Sequence, residues 1–203
     1  MNSTGKFLWR GVKLITLLIV VAIVCLGAWL GAYLLYTRTE MYRRIDCNNN
    51  LKQIGCSLHI YASDHGGRFP ESLSELAPQY LGEPQLLICP STGSKPGPMS
   101  AVHSWTSYIY VSGLTESDRS DIPQILEDPK NHSGAGGNVC FVGGYVKWMN
   151  TADLLPLLRA PWGGHAPPHS DAAAVELKQR VRIIYPGQKE PGTEGDGLKS
   201  VAQ

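Results

Sequence analysis

The side chains of this chain with chemistry to offer are five cysteines, six histidines and the carboxylates around them. Cys25 lies inside a long apolar run, where a thiol serves as packing. Cys47, Cys56, Cys89 and Cys140 come after that run. An even number of thiols beyond an apolar anchor permits disulfides in an oxidising compartment, and four cysteines allow three connectivities. A Cys47–Cys56 pair is disfavoured. On a straight helix the two residues sit about 13.5 Å apart along the axis and on opposite faces, and a disulfide needs Cα atoms within roughly 7 Å. There is no C-x-x-C pair, so spacing offers no zinc site, and no metal ligand is expected. His165 and His169 fall among Pro161, Pro167 and Pro168, which break any helix that would align them. Glu194-Gly195-Asp196 is too thin for a calcium loop. No nucleophile–base pair can be read, so no catalytic residue, no cofactor and no enzymatic activity are expected.

The elements that must position these groups begin with a membrane segment. About 23 residues from Leu14 to Tyr36 carry no charge, a length that spans roughly 35 Å as a helix and crosses a bilayer with some tilt. A cleaved secretory signal has a shorter apolar core and a small-x-small cleavage site, and Leu34-Leu35-Tyr36-Thr37 is a poor one. A buried core helix rarely runs this long without charge in a small domain. A retained transmembrane helix is therefore expected, with the lipid bilayer as its partner. Lys6, Arg10 and Lys13 precede it and Arg38, Arg43 and Arg44 follow it, so charge alone sets no orientation. The net charge of +1 gives no bulk electrostatic case for nucleic acid.

Beyond Thr39 the positions Cys47, Leu51, Ile54, Leu58 and Tyr61 recur at helical spacing and form one apolar stripe. The anchor is expected to run on as an amphipathic helix, with a break near Asn48–Asn50, until Asp64–Gly67 ends the pattern. Ser72 and Glu75 have capping-box spacing and predict a short helix. Thr106–Ser112 reads as a strand and Ile122–Glu127 as a second, with Pro123 suiting an edge. Asn138–Val142 and Tyr145–Met149 flank Gly143-Gly144, the signal of a hairpin with a two-residue type I′ turn. Thr151 would cap a short helix over 151–159. Ala172–Tyr185 reads as a helix or a strand, and the end from Pro186 as disordered. The 22 glycines and 14 prolines, concentrated after residue 82, predict short elements and many turns.

An ordered set of short motifs resembles the pseudopilin-like bacterial proteins with a prepilin-type N-terminus and an H-x9-DG-like C-terminal motif, relatives of type II secretion pseudopilins and type IV pilins. The set starts with Cys47-Asn48-Asn49-Asn50-Leu51-Lys52-Gln53-Ile54-Gly55. Leu58-His59-x-Tyr61, Gly67-Arg68-Phe69-Pro70 and Ser72-Leu73-Ser74-Glu75-Leu76 follow. Cys89-Pro90-Ser91, Ser107-Tyr108-Ile109-Tyr110, Glu127-Asp128-Pro129-x-Asn131-His132 and Gly137-Asn138 through Lys147-Trp148 complete it. The resemblance covers about residues 11–150 and implies an α+β, pilin-like fold. In that fold the N-terminal transmembrane helix continues as a long amphipathic helix packed on a small antiparallel sheet. The implied domains are a basic leader (1–13), the span (14–36), the helix continuation (37–66), an exported domain (67–150) and a C-terminal extension (151–203).

The resemblance further implies a structural subunit of the bacterial inner membrane, with its C-terminal domain outside the cytoplasm and with pilin-like subunits and a prepilin peptidase as partners. Gly11 and Val12 align with the cleavage site, and Val12 replaces the usual Phe. Thr16 stands where the family has a Glu that pairs with a neighbour's N-terminus. A hydroxyl cannot make that ion pair and can bond its own helix carbonyls, so a minor or uncleaved subunit fits better. A tethered binding module without a filament role is the alternative, and a tethered enzyme a more distant one. Gly143-Gly144 stands for the family's Asp-Gly, one residue further from His132 than usual. Loss of that Asp favours a turning role there and a hydrogen-bonding role for His132. Cys47 is on the stripe and Cys89 at a motif position, which makes Cys47–Cys89 the preferred disulfide, with buried free thiols as the other reading. Asn50, Leu51, Gln53, Gly55, Pro90 and Asn138 are the remaining structural motif positions.

Overall fold

The computed structural model describes residues 3–159 and 177–188. It divides into two units, Met1–Tyr42 and Arg43–Gln203. A single helix, α1 (Ser3–Asp64), supplies the described part of the first unit and opens the second. The break expected near Asn48–Asn50 does not occur. The amides of Asn48 and Asn50 bond outward, to Asn138 and to the Ile88 carbonyl. They therefore do not compete for the helix's own backbone.

In the first unit α1 exposes its apolar side chains on every face, from Val12, Leu14 and Ile15 to Leu34 and Leu35. It is long and apolar enough to cross a membrane by length and composition, and its most apolar stretch is not buried against the rest of the chain. A helix apolar all round is a membrane or deep-core helix. The hydroxyl of Thr16 bonds the Val12 carbonyl one turn back at 2.9 Å, as a threonine in an apolar helix does.

In the second unit the stripe expected from spacing is the buried face. Cys47, Leu51, Ile54 and Leu58 have no exposed surface, and Tyr61 and Ala62 extend the row. The helix ends at Asp64, where Gly66 and Gly67 take left-handed conformations. Ser72 caps the 3-10 turn Leu73–Leu76 with the expected reciprocal bonds to Glu75. After the short helix α2 (Val102–Trp105) come β1 (Tyr108–Ser112), β2 (Pro123–Glu127), β3 (Gly136–Phe141), β4 (Val146–Asn150), α3 (Thr151–Arg159) and β5 (Arg182–Ile184). The strands form one antiparallel sheet in the order β4-β3-β2-β1-β5. Strands β1, β2 and β3 are buried along their whole length. The result is the α+β, pilin-like architecture that the motifs imply.

Four local expectations are corrected. Pro123 does not mark an edge, since β2 lies in the centre of the sheet. It is tolerated as the first residue of the strand, beside a register shift between Pro123 and Ile125. The hairpin turn is not a two-residue type I′ turn. Phe141 opposes Tyr145, leaving Val142, Gly143 and Gly144 as a three-residue loop in which Gly144 has φ +78° and Gly143 is not left-handed. The amides of Val142 and Gly143 bond the carbonyls of Ile122 and Ser120, which holds the loop against the start of β2. Asn150, not Thr151, caps α3, through a 3.0 Å bond from the Asp153 amide. Finally, β5 pairs with β1, so the domain's sheet takes in residues beyond 150. The linker with His165 and His169, and Glu194–Asp196, lie outside the described residues.

The turn generates a prediction. Only a residue without a Cβ holds φ +78° freely, and a Cβ on Gly144 would also press on the His59 ring at 3.3 Å. Gly187→Ala, whose Cβ meets nothing, should cost only the backbone term of about 1–2 kcal/mol in chemical unfolding, and Gly144→Ala should cost more than that.

Candidate functional site

Four side chains meet beneath α1. Cys47 comes from the buried stripe of the helix. Cys89 follows the 3-10 turn Pro84–Leu87, in a segment tied to α1 by the bond from the Asn50 amide to the Ile88 carbonyl, 3.2 Å. Glu127 is the last residue of β2. His132 ends the 3-10 turn Pro129–His132, whose start is capped by the Asp128 carboxylate. One nitrogen, sulfur or oxygen from each of the four lies within 4.8 Å of all the others, and all four residues are buried.

The cluster is held from several sides. The sulfurs of Cys47 and Cys89 are 2.7 Å apart, both as free thiols. His132 Nε2 lies 3.7 Å from Cys89 Sγ and 3.2 Å from Glu127 Oε2. Its Nδ1 faces Ser91 Oγ at 3.2 Å. Glu127 Oε2 accepts bonds from the Asn138 backbone amide, 2.6 Å, and from its side-chain amide, 3.1 Å. Asn138 also donates to the Arg44 carbonyl. Trp148 packs edge-on against the His132 ring, and the Arg44 guanidinium stacks on that indole. The two thiols are driven apart electrostatically. The hydrogen bond with Cys47 lowers the Cys89 thiol to about 6, with burial opposing and His132 assisting. Cys47 is pushed far above the usual thiol range by the bond to Cys89, then by burial and by the charge of Glu127.

The structure brings Cys47, Cys89, His132 and Asn138 of the sequence-derived residues into one place, with Pro90 on the segment that carries Cys89 and Asn50 on α1, bonded to the Ile88 carbonyl. His132 bonds side chains inside the cluster and not merely a loop. Leu51 is core, Gln53 points out of the core, and Gly55 lets α1 approach β3, since a Cβ there would meet Cys140 Sγ at 2.9 Å. Cys140 itself is buried, and burial raises its thiol to about 12. Gly143 and Gly144 belong to the hairpin, while Gly11, Val12 and Thr16 belong to the first unit. Spacing missed Glu127, Arg44 and Trp148. Glu127 carried one readable signal, a carboxylate closing the apolar run Ile125-Leu126.

Chemically the cluster can form a disulfide or hold a soft cation. It is closed to substrates, because Cys89, Cys47 and Glu127 have no exposed surface and His132 only 1%. Removing His132 takes a buried hydrogen-bond partner from Glu127 Oε2 and Cys89 Sγ. His132→Ala should therefore lower unfolding free energy by about 1–3 kcal/mol, measured by denaturant titration of the detergent-solubilised chain.

Compared with known proteins, residues 40–111 match the model of a family described as a protein of unknown function (DUF1559). The matched stretch includes Cys47 and Cys89 and ends before Glu127 and His132. No curated protein and no solved structure matches the chain.

Proposed function

We propose that the protein is a membrane-anchored, pseudopilin-like structural subunit of the bacterial cell envelope, of a minor kind, and not an enzyme. The observation that carries this reading is the division of labour along α1. Its first part offers an apolar surface on every face, suited to lipid, and its last part supplies the core of a small antiparallel domain. Its action is assembly: the apolar helix sits in the inner membrane and packs against sister helices, while the domain, outside the cytoplasm, meets partners. Thr16, bonded to its own helix, replaces the charge pairing of a repeating subunit. The sealed cluster supports a structural role over a catalytic one.

In an oxidising compartment Cys47 and Cys89 join as a disulfide that pins α1 to the segment around Pro90. Closing a loop of that size stabilises by about 4 kcal/mol in the chain-entropy treatment. The intact mass of the membrane-extracted protein, with and without a co-expressed prepilin peptidase, tests both points. A mature chain starting at Val12 and lacking two hydrogens is expected for a processed, oxidised subunit. Retention of residues 1–11 with active peptidase present would favour the tethered binding module over a filament role.

A further inference from the structure

A disulfide accounts for two of the four buried groups and leaves the others unexplained. A crosslink needs neither a carboxylate nor an imidazole beside it, and burying a carboxylate is costly unless it is paired. Glu127 is fully buried, and its second oxygen, Oε1, has no hydrogen-bond partner among the described residues. Two thiols, an imidazole and a carboxylate within 4.8 Å are also the donor types and number that a tetrahedral zinc ion takes.

The spacing supports this. Ordinary zinc–ligand distances put the edges of such a tetrahedron at about 3.6 Å for S to N, about 3.4 Å for N to O and about 3.8 Å for S to S. Cys89 Sγ to His132 Nε2 is 3.7 Å, and His132 Nε2 to Glu127 Oε2 is 3.2 Å. Two edges are thus already in place. The third, between the sulfurs, is 2.7 Å and opens by about 1 Å when a metal enters. The outer contacts are of the kind that orient ligands. Ser91 Oγ meets the other nitrogen of His132, and Asn138 donates twice to Glu127. A groove of about 570 Å³ lined by Asn50, Glu83, Cys89 and Pro90 lies beside the segment that carries Cys89.

We infer that in the dithiol state Cys47, Cys89, Glu127 and His132 bind one zinc ion, closing the gap between α1, the Cys89 segment, β2 and the turn before β3. Binding releases the thiol protons and changes no oxidation state. The disulfide and the ion exclude each other, because a bonded sulfur has no thiolate to offer. The inference does not depend on whether the N-terminus is processed, nor on a filament role.

The test uses the full chain in detergent, reduced with a metal-free phosphine and titrated with Co²⁺ as a spectroscopic probe, then with Zn²⁺. One equivalent should bind, with the visible ligand-field bands of tetrahedral Co²⁺ and thiolate charge-transfer absorption. Zn²⁺ should displace it. Cys89→Ser, which leaves Cys47 as the single thiolate ligand, should weaken binding and cut the charge-transfer absorption to about half. Ser91→Ala, which keeps all four ligands, should weaken affinity by about 10- to 100-fold, and the oxidised protein should take up no Co²⁺. Circular dichroism establishes that each variant is folded. A reduced, folded chain that binds no Co²⁺ or Zn²⁺, or binding indifferent to Cys89→Ser and Ser91→Ala, would overturn the site.

Discussion

Burial of four ionisable side chains where α1 meets the sheet is the constraint on which the domain's arrangement rests. A buried polar group must be paired or it destabilises the fold. Glu127 meets this demand with Asn138 and His132, and His132 meets it with Ser91 and Cys89. Each partner comes from a different segment. The end of β2, the turn after it, the start of β3 and the Cys89 loop are therefore held at one point under Cys47. Arg44 and Trp148 cover the same point from α1 and β4. Apolar packing from Leu51, Ile54 and Leu58 supplies adhesion along the helix, and it is non-directional. The polar cluster adds direction, fixing which turn of α1 lies over which strand.

Much of this was readable along the chain wherever the signal is local. The stripe Cys47, Leu51, Ile54, Leu58 repeats at the period of a helix, and all of it is buried. The Ser72–Glu75 box closes within one turn. Thr16 behaves as a threonine in an apolar helix must. Cys47 lies on the stripe and Cys89 at a motif position, and their sulfurs stand 2.7 Å apart as free thiols.

What stayed hidden depends on distant partners. The cluster draws on residues 47, 89, 127 and 132, and no spacing rule joins them, since no two of them form a C-x-x-C pair. The hairpin looked like a two-residue turn because Gly143-Gly144 is a strong local signal. Bonds from Val142 and Gly143 to Ile122 and Ser120 lengthen the loop by one residue. Pro123 looked like an edge residue because proline lacks a donor, yet the first position of a central strand needs none when the register shifts beside it. β5 was ambiguous because three residues, Arg182–Ile184, alternate too briefly to show a period, and pairing with β1 decides the matter.

The two parts of α1 obey the same rule with different solvents. One part has apolar side chains that no protein covers, and the other has apolar side chains that a sheet covers. The account's central claim is that the first lies in the bilayer and the second is presented outside the cytoplasm. Cys56 is exposed on the domain, while Cys47, Cys89 and Cys140 are buried. Labelling with a membrane-impermeant maleimide therefore reads topology directly, with Cys56→Ser as the control. The account predicts that Cys56 is labelled in intact spheroplasts. Labelling that appears only after the membrane is permeabilised would contradict it.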